Sequence, residues 1–212
     1  MSEDPKTLFD LCGGHPALDL VNSLDHRYRE DGPSERLNDY GDVLRFLAES
    51  HLLDLRQVRL LSKDVAPEAG ERALQSVRAL REATAAVLYP TVGGEPPPAA
   101  DLRKLERYFL DASRHRELHW KAATGDGPAA QAGVVWRWGR YGSEPNLPLW
   151  ILANAVSDIL FSDQMTHVRA CAADTCRWLF LDTSKNHSRR WCDMKICGNR
   201  MKARRFQARR ED

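Results

Sequence analysis

Four cysteines near the C-terminal end carry the chemistry of this chain. Cys171, Cys176, Cys192 and Cys197 read C-x4-C-x15-C-x4-C, two equally spaced pairs with room between them for a strand and a turn. Soft thiolates in a set of four suit tetrahedral Zn2+, and a closed set with no water position marks a structural site. A redox disulfide pair and four unrelated core cysteines are the competing readings. The x4 gap is wider than the common C-x2-C knuckle, so spacing alone leaves the topology open. His167 and His187 are nearby spare ligands that a complete cysteine set does not need. Cys12, the fifth cysteine, reads as a small buried apolar side chain.

Local sequence says what must hold the thiolates. Cys171 and Cys176 can share one tight turn. Trp178 to Asp182 is strand-like, and Asp182-Thr-Ser-Lys-Asn186 is turn chemistry. Cys197 falls at the start of a last helix, whose positive end favours a thiolate. Turn, strand, turn, helix is the order of a treble-clef-like finger. Laid out at about 100° per residue, the last helix puts Ala203, Phe206 and Arg210 on one side and Lys202, Arg205 and Arg209 opposite. Arg200 and Arg204 share a third direction. A narrow face is expected to dock through Phe206 while a wide one presents cations, the shape of a helix lying along phosphates.

Charge is divided unevenly. From Arg169 to the end there are twelve Lys/Arg against five Asp/Glu, a net of +7, while the remainder holds nineteen cations and twenty-five anions. Four thiolates around one Zn2+ bring the tail to about +5. The basic part calls for nucleic acid or an acidic surface. The candidate phosphate contacts are Arg189, Arg190, Arg200, Lys202, Arg204, Arg205 and Arg209.

The first three-quarters is mostly helical by pattern. Ala17 to Val21, with Leu24, suits a short helix after the Gly13-Gly14-His15-Pro16 break. Asn38 is an N-cap candidate for a helix burying Val43, Leu44 and Leu47. Asp54 and Gln57 form a capping box ahead of Val58 and Leu61. Leu74, Val77, Leu80, Thr84, Val87 and Leu88 keep helical period from Pro67 to Leu88. The Gly93 to Pro98 run is a loop, and Leu102, Leu105 and Phe109 mark another helix. Then the period changes. Glu117 to Ala122 and Gly133 to Gly139 alternate as strands around a Gly125-Asp-Gly-Pro128 turn, a β-hairpin. Trp120, Trp136 and Trp138 on it are read as core. A long apolar helix from Leu149 to about His167 leads to the first cysteine. The fold class is therefore mainly α with a small β-hairpin (α+β), ending in a treble-clef-like zinc finger. The expected division is 1–167 and 168–212. No Gly/Ser linker separates the parts, so the finger is docked, not tethered.

The Met1 to Lys6 start is polar with no apolar segment behind it, and no stretch reaches the roughly 18 apolar residues of a membrane span. The expectation is a cytoplasmic protein with no membrane association, where paired cysteines are metal ligands more often than disulfides.

The segments Arg169 to Ser184 and Arg189 to Arg205, with Cys197-Gly-Asn-Arg200 intact, resemble the CGNR zinc-finger family almost throughout. Gly13-Gly-His-Pro-Ala-Leu-Asp-Leu-Val-Asn-Ser23 resembles the ABATE domain that precedes that finger. The resemblance covers nearly the whole chain. It implies a bacterial, stress-related transcription regulator whose finger binds DNA.

Other constellations are weaker. Asp19 and Asn22 share a helix and, with His15, are candidates for a polar ligand pocket; caps or hydrogen-bonded core polar groups are the plainer reading. No Ser-His-Asp order, phosphate loop or H-E-x-x-H stretch occurs. His115 and His119 are four apart, but the second lies in strand-like sequence. Nothing argues for catalysis. Two functions stay open: a regulator that binds duplex DNA, with a first domain that senses a small-molecule effector or forms a homodimer, and an adaptor whose finger binds an acidic protein. RNA is a variant of the first.

Overall fold

The computed structural model describes residues 8–63, 65–122, 132–139 and 144–211, without the side chains of residues 205 and 208–211. The polar Met1 to Lys6 start and the Gly125 to Pro128 turn lie outside these residues. Seven α-helices and three antiparallel strand pairs make up the described chain: α1 (Pro16–Asn22), β1 (Leu24–Asp25), β2 (Ser34–Glu35), α2 (Tyr40–Glu49), α3 (Leu55–Ser62), α4 (Pro67–Gly93), α5 (Ala99–Arg114), β3 (Arg116–Lys121), β4 (Gly133–Trp138), α6 (Leu147–Leu160), β5 (Val168–Ala170), β6 (Leu179–Leu181) and α7 (Asn199–Glu211).

The helix starts follow local chemistry. Asp54 and Gln57 exchange both bonds of a capping box at α3. At α2 the cap is Asp39, not Asn38: the Asp39 carboxylate accepts from the Asp42 N–H, while the Asn38 N–H donates to Asp42. Leu24 is in β1, because α1 ends at Asn22. α4 buries every apolar position read from its period, and it runs five residues further than expected, through Pro90. Gly94, at φ +81°, closes it with its N–H on Thr91 and Pro90 carbonyls; only glycine holds that left-handed conformation without strain. The last long helix is shorter than read. α6 stops at Leu160, and a 3-10 turn (Asp163–His167) reaches β5.

α4 and α6 form the middle of the helical body, each in contact with α1, α2 and α5. Their core includes Leu18, Leu74, Leu80, Leu88, Leu152 and Ile159, all fully buried. A side chain of this size contributes about 2 kcal/mol on burial. Val168, Leu179 and Leu181, from β5 and β6, belong to the same core. Across the body, buried Arg81 makes paired bonds to Glu35 (2.6 and 2.7 Å) and reaches Glu82, which also binds Arg27.

The expected hairpin is present, with Leu118 opposite Trp136 and Trp120 opposite Val134. Its tryptophans correct the reading as core. Only Trp138 packs against the body; Trp120 and Trp136 are exposed. Strand alternation tells which residues share a face, not whether anything covers it.

Candidate metal centre and basic helix

β5 and β6 pair antiparallel, and Cys171 and Cys176 sit in the loop that joins them. The loop is closed by backbone bonds. Cys171 N–H donates to the Trp178 carbonyl (2.8 Å), and the Cys176 and Arg177 N–H groups both donate to Ala173 (2.9 and 3.1 Å). Arg177 takes a left-handed φ of 59° to turn the chain back into β6. The second pair brackets the entry to α7. Asp193 caps a one-turn π-helix, Met194–Gly198, by accepting from Ile196 N–H at 2.8 Å. Cys197 thus stands in the turn directly before α7. A Cβ on Gly198 would sit 2.5 Å from the Met194 sulfur and 3.2 Å from the Trp191 ring, so glycine is the residue that fits.

All four sulfurs lie within 4.8 Å of one another and the four residues are buried or nearly so. Cys176–Cys192 and Cys192–Cys197 Sγ separations are 3.5 and 3.6 Å. A tetrahedral Zn2+ with bonds of about 2.3 Å sets its sulfurs about 3.8 Å apart. The set fits one structural zinc ion held by Cys171, Cys176, Cys192 and Cys197. Without a cation the four thiols compete for charge. Hydrogen bonds from Cys176 and then Cys192 hold Cys171 well below the ordinary thiol range. The bond to Cys171 pushes Cys176 up, and burial pushes Cys197 up. Among themselves the sulfurs favour one charge; a dication supplies the field that lets all four ionise. His167 and His187 stack on each other, ring centres 3.8 Å apart, and neither joins the sulfur cluster. Cys12 is half-buried against the same cluster, where its hydrogen bond pushes Cys192 up.

The finger is docked on the body by motif residues of the first helix. The Asn22 amide accepts from Leu179 N–H (2.9 Å) and donates to Leu179 C=O (2.8 Å). Trp178 Nε1 donates to Asp25 (2.9 Å), the Leu181 N–H to Gly13 C=O (2.8 Å), and the Tyr89 hydroxyl to Arg177 C=O (3.2 Å). Gly13 N–H donates to buried Asp19 at 2.7 Å, and a Cβ on Gly13 would meet that oxygen at 2.6 Å. His15 caps α1 by accepting from Ala17 N–H. Asp19 and Asn22 do line a hollow, without His15, but it measures about 90 Å3. Small-molecule sites run to about 300–1,000 Å3, so this one has room for a few waters. The cap at His15 and the bonded Asp19 match the plainer sequence reading; the partner of Asn22 escaped it because Leu179 is 157 residues away.

The candidate cations divide into two groups. Arg189 is built into the finger: Nε donates to Trp191 C=O at 2.9 Å, Nη2 to Cys192 C=O, and the guanidinium lies 4.6 Å over the Phe180 ring. Arg190, Lys202 and Arg204 are exposed and Arg200 is half-buried beside the thiolates. Arg204 shares a hollow with Glu30, Asp31 and Asp174. The side chains of Arg205 and Arg209 lie outside the described residues. Phe206 does not bury as expected, being 64% exposed, and Met201 of α7 packs against the finger.

A helical domain closed by a four-cysteine finger with a cationic last helix defines a zinc-finger protein. Residues 14–163 match the ABATE family model, described as "Putative stress-induced transcription regulator", and residues 167–210 match the CGNR zinc finger. The chain belongs to the ABATE family, with a CGNR zinc finger after that domain. No curated protein matches it. Among the described residues no helix is long and apolar enough to cross a membrane.

Proposed function

We propose that the protein is a DNA-binding transcription regulator that holds duplex phosphates with the cations around its finger and on α7. One observation carries the reading. Among the described residues every ion pair involves residues of the first 119, and no cation beyond Val168 is paired with a carboxylate. Arg27, Arg36, Arg78, Arg81 and Lys104 of the body are paired with carboxylates, whereas Arg190 and Lys202 stand exposed and unneutralised on a metal-stapled frame. Arg190, Arg200 and Lys202 are the main contacts, with Arg205 and Arg209 on the Lys202 side of the helix by spacing. Arg204, facing carboxylates, contributes least, and Arg189 acts as a strut. Residues 1–167 serve as the sensing or dimerising part and 168–212 as the finger.

The test is affinity for random-sequence duplex as salt is raised. About five neutralised phosphates give a slope of log K against log salt of roughly −4 to −5. Replacing Lys202, Arg205 and Arg209 together by Ala should flatten it by about two to three. Selection from a random duplex pool then shows whether any base is read. A slope near zero, with binding to an acidic protein, replaces this reading by the adaptor.

A further inference from the structure

We propose that the exposed face of the β3–β4 hairpin is a dimer interface and that its partner is a second copy of this chain. Leu118, Trp120, Val134 and Trp136 share one face of the hairpin, as strand alternation and the pairing register require. They are 63%, 70%, 65% and 55% exposed. Together they leave roughly 600 Å2 of mostly apolar surface in water, more than half of it from the two tryptophans. That is at the upper limit for a monomer's largest apolar patch, and patches of this size mark association sites. A two-stranded hairpin is also marginal alone in water; a cover on one face stabilises it.

Three features select a second copy as the cover. The first is shape. The four side chains form a checkerboard: Trp136 beside Leu118 in one row, Val134 beside Trp120 in the next. A two-fold axis lying in the interface, perpendicular to the strands, sets each Trp120 against the other copy's Leu118 and each Trp136 against its Val134. Every large side chain meets a small one, the condition for interdigitated packing. The same axis sends the two helical bodies to opposite ends of the paired hairpins. The second feature is charge. Glu117, His119, Lys121 and Arg137 fall on the opposite face. The one cation on the apolar face, Arg116, lies 4.9 and 5.4 Å over the Trp136 and Trp138 rings and donates to Asn154 at the hairpin's root. The two-fold places the two Arg116 residues at opposite ends, so no like charges face each other. The third is area. A standard interface buries about 800 Å2 per partner, and the four side chains with an Arg116 and Trp138 rim approach that. The contact is isologous and closes at two copies.

The dimer carries two fingers whether or not they bind DNA. Sedimentation velocity of the full-length zinc-loaded protein, from about 1 to about 100 µM, tests it. The parent should reach twice the chain mass. Trp120→Ser with Trp136→Ser should stay monomeric with unchanged zinc content and helical circular dichroism. Leu118→Trp alone, which sets tryptophan against tryptophan, should weaken association at least tenfold, and Leu118→Trp with Trp120→Leu should restore it. A parent that remains monomeric at the top concentration overturns the proposal. So does a double serine variant that associates like the parent, or a swap that fails to restore association.

Discussion

The side-chain amide of Asn22 occupies the place of a neighbouring strand beside Leu179: its oxygen takes the Leu179 N–H at 2.9 Å and its nitrogen gives to the Leu179 carbonyl at 2.8 Å. Both partners are buried. One side chain of α1 thereby satisfies an edge position of the finger's hairpin, and the helical body and finger share a hydrogen-bonded seam. Loss of the amide leaves two buried backbone groups unpaired, at a cost of about 1–3 kcal/mol each.

Asn22→Ala is therefore expected to lower the melting temperature by several degrees and to raise amide exchange at Leu179 and Leu181 more than in α4. Asn22→Asp sets a carboxylate oxygen against the Leu179 carbonyl at a buried position and should destabilise at least as much at neutral pH. Exchange mass spectrometry reads this directly. Uniform protection in the Ala variant would show that the seam carries no weight.

Any single Cys→Ser change at 171, 176, 192 or 197 should reduce bound zinc from one per chain to none by elemental analysis. Structural zinc contributes about 10–16 kcal/mol to small fingers. Because Val168, Leu179 and Leu181 sit in the common core, the loss is expected to lower the melting temperature of the helices as well, not to stop at the finger. Unchanged helical melting in a zinc-free variant would contradict that.

The cysteine spacing made the zinc set legible, since four thiolates at those intervals have few other uses. The α4 period and the Asp54–Gln57 box were legible because they are local. In the motif from Gly13 to Asn22 the plainer reading, caps and hydrogen-bonded polar groups, matches the local bonds of His15 and Asp19; the partner of Asn22 lies 157 residues away, and no local pattern reports a distant partner. The hairpin was legible from its alternation and its exposure was not, since no local pattern reports whether another element covers a face. Arg189 looked like its neighbour Arg190; only the fold turns its guanidinium inward.

Burial pushes the Asp19 carboxyl up to about 7, with the Gly13 N–H offsetting part of the effect. In the unfolded chain it titrates near 3.8. Below that value both states hold the proton. Between about pH 4 and 7 the unfolded chain releases it and the folded chain keeps it, so stability falls as pH rises through this window, by up to a few kcal/mol. Asp19→Asn keeps an acceptor for Gly13 and removes the charge. Its urea midpoint should exceed the parent's at pH 8 and approach it at pH 5. Parallel midpoints at both values would count against the buried acid.

Arg189 and Arg190 are adjacent in sequence and should fail in different ways. Arg189 ties the Trp191 and Cys192 carbonyls together while its N–H donates to Asp182 at 2.9 Å and its guanidinium covers Phe180. A lysine cannot supply two donors in one plane and stack as well. Arg189→Ala and Arg189→Lys are both expected to speed zinc loss to a chelator, by about tenfold for a cost near 1.4 kcal/mol, because the Cys192 turn loses its brace. Arg190 is exposed, with its guanidinium 5.4 Å over Trp191, and braces no carbonyl of the ligand turn. Arg190→Ala should leave chelator kinetics near the parent's and flatten the salt dependence of duplex binding by about one. Measuring both quantities on both variants separates a strut from a phosphate contact. If Arg190→Ala lost zinc as fast as Arg189→Ala, the division between the two arginines would not stand.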